Sequence, residues 1–302
     1  MPAAIRTALI GRGIRESSSP ALHETEGAAL GLDYRYRLID LDDNGGTEAL
    51  PMWLDRLQRD GYSGANITYP IKQAVIPLLD RLSPEAEAIG AVNTVKFASD
   101  GAREGHNTDW WGFAENLRRT LGNNPLGHVA LIGAGGAGAA AAYALAKLGA
   151  SQLTIFDNDA QKASALVVLM APSGIRVETL PLTLLAETLA VADGLVQATP
   201  IGMLKYPGMP FDPAYLHAGL WVAEIIYVPV DTELVRRARA LGCSTVTGVG
   251  MVVLQAAEAF RIFTGAEPDI ERMMRSFQSL VGDRTTPTGQ APGLPIRQVS
   301  PI

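Results

Sequence analysis

The sequence predicts an α/β fold with two domains, and three observations support this prediction. Strand-like runs alternate with helix-like segments over the first 109 residues, as they do in βαβ units. The hydrophobic run Val129–Ile132 leads through a glycine-rich turn into an alanine-rich helix. The chain has 302 residues, which is more than one hydrophobic core usually holds, so a second core is expected.

The first domain is predicted to cover residues 1–109. Alternation of apolar and polar residues indicates strands, and apolar residues three or four positions apart indicate helices. The predicted strands are Ala3–Ile10, Tyr34–Ile39, Gly64–Thr68 and Ala91–Phe97. The predicted helices are Pro20–Leu30, Leu50–Arg59 and Gln73–Leu79.

The second domain is predicted to cover residues 110–251. Its predicted helices are Trp110–Leu121 and Ala139–Leu148, and its predicted strands are Val129–Ile132, Gln152–Phe156, Gly194–Gln197, Trp221–Ile226 and Ser244–Val246. Two further helices, Val252–Phe263 and Ile270–Leu280, are expected within residues 252–283. The remaining 284–302 are rich in Thr, Pro, Gly and Gln, a composition typical of a flexible tail.

Composition argues against several classes of protein. The net charge of −6 opposes nucleic-acid or anionic-membrane partners, which need basic patches. The uncharged stretch Val129–Ala146 is interrupted by glycines and ends at Lys147, so a membrane helix is the weaker interpretation. The single Cys243 permits no intramolecular disulfide, and the four histidines lack metal-ligand spacing, so no metal is expected. We expect a cytoplasmic protein that binds a small molecule and forms a homodimer.

The motif Gly133-x-Gly135-x-x-Gly138 follows a strand and opens a helix, which is the context of a dinucleotide-binding turn. Gly133 permits the tight turn, Gly135 lets the backbone approach a pyrophosphate, and Gly138 lets the helix pack on the strand. Gly136 lies at the helix start, where free N–H groups and the helix dipole favour phosphate.

An acidic residue follows at the end of the next predicted strand. Asp157 comes 24 positions after Gly133, close to the spacing of about 20 for a carboxylate that binds ribose hydroxyls. A carboxylate would repel a 2′-phosphate, and Asn158-Asp159-Ala160 supplies no arginine, so NAD is favoured over NADP. The alternative is that Asp157 caps the next helix, a role that suits Asp159 better.

Polar side chains in the first region lie close to predicted strand or helix ends. In open α/β sheets the ends of strands line the ligand crevice. A serine here could instead cap a helix, and a lone lysine is usually a solvated surface group. The candidates are Ser17, Ser19, Asn66, Thr68, Lys72, Asn93 and Asp109.

The Lys72 and Asp109 pair suits the oxidation of an alcohol. As hydride leaves carbon, the hydroxyl proton must be removed, and a partly buried lysine near the positive nicotinamide ring can remove it. An adjacent aspartate would position the ammonium and the substrate hydroxyl. These residues predict a nicotinamide-dependent dehydrogenase.

Seven ordered motifs together resemble the shikimate/quinate dehydrogenase family over roughly residues 5–282. They are Ser17-x-Ser19-Pro20, Gly64-Ala65-Asn66-Ile67-Thr68-x-Pro70-x-Lys72, Gly90-Ala91-Val92-Asn93-Thr94, Asn107-Thr108-Asp109, Gly133-Ala134-Gly135-Gly136, Ala198-Thr199-Pro200-x-Gly202-Met203, and Gly250-Met251 leading to Gln255-Ala256-Ala257.

The resemblance implies a substrate-binding α/β domain, a Rossmann NAD-binding domain, and C-terminal helices that return to the first domain. It implies a catalytic dyad of Lys72 and Asp109, with Lys72 as acid/base. The substrate carboxylate would bind Ser17 and Ser19. The ring hydroxyls would bind Asn66, Thr68, Asn93, Asp109 and Gln255. The nicotinamide would lie among Thr199, Met203, Tyr227 and Gly250.

Departures from the family pattern refine these expectations. Biosynthetic, NADP-linked members typically carry Asn-Arg-Thr where Asp157-Asn158-Asp159 stands, so the chain is more similar to the NAD-linked branch. The segment Glu224–Leu234 also resembles that branch. Quinate-preferring members often have Thr at the position of Ser19. The serine in this chain therefore favours shikimate as the substrate. Gln197 replaces a usual Asn, and the bulky Tyr69 is expected to narrow the cleft.

The leading hypothesis is therefore an NAD-dependent dehydrogenase of shikimate, with quinate as a second substrate. An NADP-linked biosynthetic shikimate dehydrogenase is the nearer alternative, and Asp157 opposes it. A non-catalytic NAD-binding sensor is the alternative from another class, and the intact pair of Lys72 and Asp109 opposes that.

Overall fold

The computed structural model describes residues 4–122 and 126–285 and contains two six-stranded sheets. The first sheet has the strand order β2-β1-β3-β5-β6-β4. Its strands are β1 (Ile5–Gly11), β2 (Tyr34–Asp40), β3 (Gly64–Ile67), β4 (Arg81–Leu82), β5 (Thr94–Phe97) and β6 (Arg103–His106). Strand β1 pairs in parallel with β2 and β3, whereas β5 is antiparallel to both β3 and β6.

Three helices belong to this first sheet. They are α1 (Ser19–Ala29), α2 (Leu50–Arg59) and α3 (Pro84–Ile89). Helix α2 buries Leu50, Trp53, Leu54 and Leu57 in the core, because these residues recur on one helical face. Helix α3 is capped by the Ser83 hydroxyl, which accepts from the backbone N–H of Ala86 at 3.1 Å.

The second sheet is parallel throughout, in the order β12-β11-β10-β7-β8-β9. Helix α4 (Asp109–Leu121) precedes it. The strands are β7 (His128–Ile132), β8 (Gln152–Phe156), β9 (Arg176–Thr179), β10 (Gly194–Gln197), β11 (Trp221–Glu224) and β12 (Thr245–Val246). The intervening helices are α5 (Gly136–Lys147), α6 (Ala160–Met170), α7 (Leu185–Leu189) and α8 (Glu233–Ala240). This alternation of parallel strands and helices is the doubly wound arrangement that the sequence predicts.

The last two helices, α9 (Gly248–Thr264) and α10 (Ile270–Thr285), return to the first sheet. Helix α9 crosses α4 at close range: a Cβ on Gly112 would come within 2.7 Å of the backbone of Met251 and Gln255. Helix α10 packs on α1 through Leu22, Met273 and Phe277. The predicted return of the C-terminal helices to the first domain is therefore confirmed.

The prediction of a helix over Gln73–Leu79 is wrong. The chain forms turns there, with only a short 3₁₀ segment at Ile76–Leu78. Pro77 lacks the backbone N–H that a helix interior needs, and the preceding turn leaves too few residues for a regular helix. The strand predicted over Ala91–Phe97 begins only at Thr94, and Asn93 just before it lines the cleft described below.

Other boundaries differ by a few residues. Helix α9 begins four residues before the predicted start at Val252, and α10 continues to Thr285, so the predicted tail loses its first two residues to a helix. The rest of that tail, residues 286–302, lies outside the described residues. The domain boundaries at 109 and 251 stay a prediction. Within residues 4–122 and 126–285, no helix is both long and apolar enough to cross a membrane.

Candidate active site

A cleft of about 630 Å³ lies between the two sheets. Residues that follow strands of both sheets contribute to its lining, and so does helix α9. Sequence-predicted residues that line it are Ser17, Ser19, Asn66, Thr68, Lys72, Asn93, Asp109, Thr199, Met203, Tyr227 and Gln255. The fold therefore brings together polar residues that are as far apart in sequence as Ser17 and Gln255.

Lys72 and Asp109 form an ion pair in the cleft. The Lys72 Nζ donates to Asp109 Oδ2 at 2.6 Å, and the two side chains are 25% and 10% exposed. Lys72 lies in the turns after β3, and Asp109 is in the first turn of α4, where the helix dipole favours a negative charge. The pair is therefore shielded from bulk water but open to a ligand.

An amide network fixes the second oxygen of this carboxylate. The Asn93 Nδ2 donates to Asp109 Oδ1 and to Thr108 Oγ1, both at 2.9 Å, and its Oδ1 accepts from the Thr108 N–H at 2.7 Å. The Gln255 Oε1 of α9 lies 3.5 Å from Asn93 Nδ2. The two oxygens of Asp109 thus have different partners, so its orientation is set before a ligand binds.

Of the serine hydroxyls at the start of α1, Ser17 Oγ accepts from the Ser19 N–H at 3.3 Å. Ser18 is the capping residue, and its side chain makes no cap hydrogen bond. The Ser17 and Ser19 hydroxyls lie 3.2 Å apart at the cleft. Their hydroxyls can therefore donate to an anionic group of a ligand.

Tyr36 does not line the cleft but holds Asn66, which does, and the sequence prediction missed it. Its hydroxyl donates to Asn66 Oδ1 at 2.8 Å, and the Asn66 Nδ2 donates to Thr94 Oγ1 at 2.9 Å. Burial raises the pKa of Tyr36 well above its usual range, so it stays a neutral donor. The signal in the sequence was a tyrosine on the buried face of a strand, where its hydroxyl must find a partner.

The glycine turn has the geometry of a phosphate cradle. Gly133 has a φ of +102°, and a Cβ on Gly138 would overlap the Gly133 carbonyl, so both positions need glycine. At Gly135 and Gly136 a Cβ would meet nothing within 4 Å. This open space lies at the N-terminus of α5, where backbone N–H groups can bind a pyrophosphate. The residues present therefore fit a dinucleotide cofactor.

Asp157 fastens this turn to the end of β8. Its Oδ2 accepts from the Ala134 N–H at 2.7 Å, and its Oδ1 accepts from the Asp159 N–H at 2.8 Å. The cap of α6 is Asp159, which accepts from the N–H groups of Gln161 and Lys162. Asp157 is therefore not the helix cap, and its carboxylate lies beside the phosphate cradle.

Two residues named by the family pattern lie outside the lining of the cleft. Gly250 lies within α9, where a Cβ would overlap the side chain of Asn116 on α4, and its place beside the nicotinamide stays a prediction. Its neighbour Met251 lines the cleft instead. Tyr69 is 75% exposed and is not among the lining residues, so the expectation that it narrows the cleft is wrong.

Gln197 and Glu224 are buried polar residues at the ends of β10 and β11. Gln197 is completely buried, and Glu224 is 2% exposed. Burial raises the pKa of Glu224 to about 7, although its Oε1 and Oε2 accept from the Ile226 N–H and the Thr232 hydroxyl. The residues after these two strands line the cleft.

Among the described residues, no group of three or more His, Cys, Asp or Glu side chains could hold a metal ion. The site thus consists of a phosphate cradle on a parallel sheet and a polar pocket with a lysine–carboxylate pair. This combination defines a nicotinamide-dependent dehydrogenase built from two sheets.

The chain belongs to the shikimate dehydrogenase family. Residues 9–95 match the family model "Shikimate dehydrogenase substrate binding domain", and residues 248–276 match "Shikimate 5'-dehydrogenase C-terminal domain". The chain is 52% identical over 283 residues to a shikimate dehydrogenase (NADP(+)) of Streptomyces avermitilis, covering 91% of this chain and 95% of the relative.

Relatives whose names include NAD have comparable sequence identity to this chain. A quinate/shikimate dehydrogenase (NAD(+)) of Corynebacterium efficiens is 46% identical over 275 residues, covering 90% of this chain and 97% of the relative. The solved structure of quinate dehydrogenase from Corynebacterium glutamicum in complex with NAD superposes with a TM-score of 0.87 at 43% identity, covering 91% of this chain and 99% of that one. The protein is accordingly a dehydrogenase of the shikimate/quinate type that uses a nicotinamide cofactor.

Proposed function

We propose that this chain catalyses the reversible, NAD-dependent oxidation of the ring C3 hydroxyl of shikimate, with quinate as a second substrate. The observation that carries the proposal is the Lys72–Asp109 ion pair of 2.6 Å in a cleft that also borders the loops after β10 and β11. The proposed acid/base pair and the loops proposed to hold the nicotinamide thus border the same cleft.

Lys72 acts as the acid/base in this proposal. When bound, the nicotinamide supplies the hydride acceptor. For oxidation, the Lys72 ammonium must first release one proton; its Nζ then takes the proton of the substrate hydroxyl as the C–H bond breaks, and the Asp109 carboxylate stabilises the ammonium that forms again. In the reverse direction the same ammonium returns the proton to the carbonyl oxygen.

The remaining polar residues hold the ring acid. The Ser17 and Ser19 hydroxyls, 3.2 Å apart, offer donors to the carboxylate. Amide and hydroxyl side chains suit the hydroxyl groups of a ring, because each side chain can both donate and accept hydrogen bonds. The residues proposed for the ring hydroxyls are Asn66, Thr68, Asn93, Asp109 and Gln255.

The choice of NAD rests on Asp157. A carboxylate beside the phosphate cradle attracts ribose hydroxyls and repels a 2′-phosphate. The cation closest in sequence, Lys162, is paired with Asp159 at 3.6 Å. Relatives named for NADP and for NAD are 52% and 46% identical, so identity alone favours the other cofactor. We give the local charge more weight because it acts on the 2′-position itself.

The test is a steady-state matrix of shikimate and quinate against NAD and NADP. We expect kcat/KM with NAD to exceed that with NADP by about tenfold or more, equivalent to about 1.4 kcal/mol, and shikimate to exceed quinate. A preference for NADP would overturn the cofactor assignment alone. Absence of turnover with both acids and both cofactors would overturn the proposed function.

A further inference from the structure

Gln197 and Glu224 occupy equivalent positions in neighbouring strands. They are the last residues of β10 and β11, and they are direct partners in the parallel register. The Ile225 N–H also donates to the Gln197 carbonyl at 3.1 Å, which links the two strand ends. Both side chains are buried, in a kind of sheet whose strands are mostly apolar.

Each of these side chains turns back onto the loop that follows its own strand. The Gln197 Oε1 accepts from the Thr199 N–H at 2.6 Å, and its Nε2 donates to the carbonyls of Thr199 and Ile201 at 3.1 and 2.8 Å. One amide therefore satisfies three backbone groups of the first loop. Such a side chain acts as a fixed template for the loop, because any other loop geometry leaves buried polar groups without partners.

Glu224 does the same for the second loop. Its Oε1 accepts from the Ile226 N–H at 3.1 Å, and its Oε2 accepts from the Thr232 hydroxyl at 2.9 Å. Thr232 is also the N-cap of α8, since its hydroxyl accepts from the Val235 N–H. Glu224 thereby fixes both ends of the loop between β11 and α8.

Sheet order shows which part of a dinucleotide these loops face. A dinucleotide bound to a sheet of this type would cross the carboxyl ends of the strands, with the glycine turn after β7 holding its pyrophosphate. Asp157 marks the adenosine side, because it follows β8 on one flank of β7. Strands β10 and β11 lie on the other flank, so their loops border the nicotinamide side. The cleft lining there includes Thr199, Met203 and Tyr227.

We propose that Gln197 and Glu224 are a matched pair of positioning residues that fix the two loops around the nicotinamide ring and so set its approach to the substrate. The inference deepens the proposed function and rests on it for the identity of the substrate. Neither residue lines the cleft, so both act through the loops that they hold.

The first experiment replaces Gln197 by Leu, which keeps the volume and removes all three hydrogen bonds. We expect kcat to fall on the order of 10- to 100-fold, because a reacting group misplaced by about 1 Å costs this much. The dissociation constant of NADH should change less than threefold, since the turn at Gly133 and Asp157 is untouched. Gln197→Asn keeps an amide in reach of Thr199 and should recover part of kcat.

Glu224→Gln and Glu224→Leu test the second loop in the same way. The amide can still accept from Ile226, so we expect a smaller loss of kcat for Gln than for Leu. The matched control is Thr154→Val, which removes a completely buried hydroxyl from β8 of the same sheet. It should lower the free energy of unfolding without a change of kcat.

Fluorescence of bound NADH separates this inference from the proposed substrate. The emission reports the environment of the reduced nicotinamide ring and needs no turnover. We expect Gln197→Leu and Glu224→Leu to alter the emission of bound NADH, whereas Thr154→Val leaves it as in the wild type. Unaltered emission and kcat in both Leu variants would overturn the inference. Absence of turnover in the wild type, with altered emission in the variants, would overturn only the proposed function.

Discussion

Glu26 of α1 and Arg272 of α10 form a two-point ion pair in which the carboxylate is completely buried. The Arg272 guanidinium donates to both carboxylate oxygens, at 2.6 and 2.8 Å, and the Asp269 N–H donates to Glu26 Oε1 at 2.8 Å. The pair joins residues that are 246 positions apart in sequence. It joins the C-terminal helix to α1, the helix at whose N-terminus the cleft residues Ser17 and Ser19 lie.

Loss of Arg272 should destabilise the protein strongly. Arg272→Met leaves the buried Glu26 carboxylate without its ion-pair partner, and an unpaired buried charge lowers the free energy of unfolding by more than the loss of an exposed pair does. The measurement is the free energy of unfolding in urea. As a control, Arg239→Met breaks the exposed pair with Asp231 and should cost less than about 1 kcal/mol. Equal losses in the two variants would contradict the assigned role.

His23 should make the protein sensitive to acid. Burial lowers the pKa of His23 to about 3 from 6.5, while its Nδ1 lies 3.1 Å from the Tyr34 hydroxyl. The unfolded chain binds a proton below pH 6.5 and the folded chain does not, so stability falls as pH drops from 6.5 toward 3. The largest slope from this residue is about 1.4 kcal/mol per pH unit.

The check is His23→Gln, which stays neutral and keeps an acceptor for Tyr34. We expect its free energy of unfolding to depend less on pH than that of the wild type between pH 6.5 and 4. Parallel pH profiles for the two proteins would show that His23 is not the group responsible.

Glu224 should have the opposite effect of pH on stability. Its folded pKa of about 7 lies above the ordinary 4.5, so the folded chain holds a proton that the unfolded chain releases. The stabilisation from this proton is complete below pH 4.5 and is lost as pH rises through about 7. Glu224→Gln should therefore gain stability relative to the wild type as pH rises from 4.5 to 7, measured by unfolding at several pH values.

Lys72 should be needed for chemistry and not for cofactor binding. We expect Lys72→Ala to lower kcat by about 10²–10⁴-fold, because general acid/base catalysis contributes this much. The dissociation constant of NADH should stay near the wild-type value. Asp109→Asn should also lower kcat, since it removes the negative charge that holds the ammonium. Substantial turnover by Lys72→Ala would remove the lysine from the proposed mechanism.

Asp157 should set the cofactor preference. Asp157→Ala removes the proposed acceptor of the ribose hydroxyls and the acceptor of the Ala134 N–H, so NAD binding should weaken about tenfold or more. NADP binding should weaken less, because a repulsive charge is removed at the same time. The control is Asp159→Ala, which removes the α6 cap and should leave the ratio of NAD to NADP affinity unchanged. If Asp157→Ala also left the ratio of NAD to NADP affinity unchanged, Asp157 would not set the cofactor preference.

Local sequence patterns were sufficient for most strands and for the cofactor cradle. The apolar run before Gly133 and the alanine-rich helix after it are local signals, and the structure confirms both. The helix predicted over Gln73–Leu79 does not form. Its apolar spacing suits a helix, but Pro77 lacks the backbone N–H that a regular helix needs there. A motif thus predicts local structure well when its own residues determine the backbone geometry, as the glycines of the cradle do.

Contacts between distant elements could not be predicted from these patterns. The sequence shows Gln197 as a departure from the family pattern, but its three backbone partners become visible only once the loop geometry is known. Tyr36 and Glu26 are buried polar residues whose partners lie on other elements. The motif with Gly250 likewise does not show that the small size of this residue accommodates Asn116 of the neighbouring helix.

The position of Gln255 on α9 has a consequence for the order in which the site is made. A nascent chain that has emerged as far as β12 already holds every strand of the parallel sheet, together with the cradle and Asp157. It still lacks Gln255 and the helix pair that Glu26 and Arg272 fasten. In the order of synthesis, all residues of the proposed cradle therefore precede Gln255, the last residue of the polar pocket.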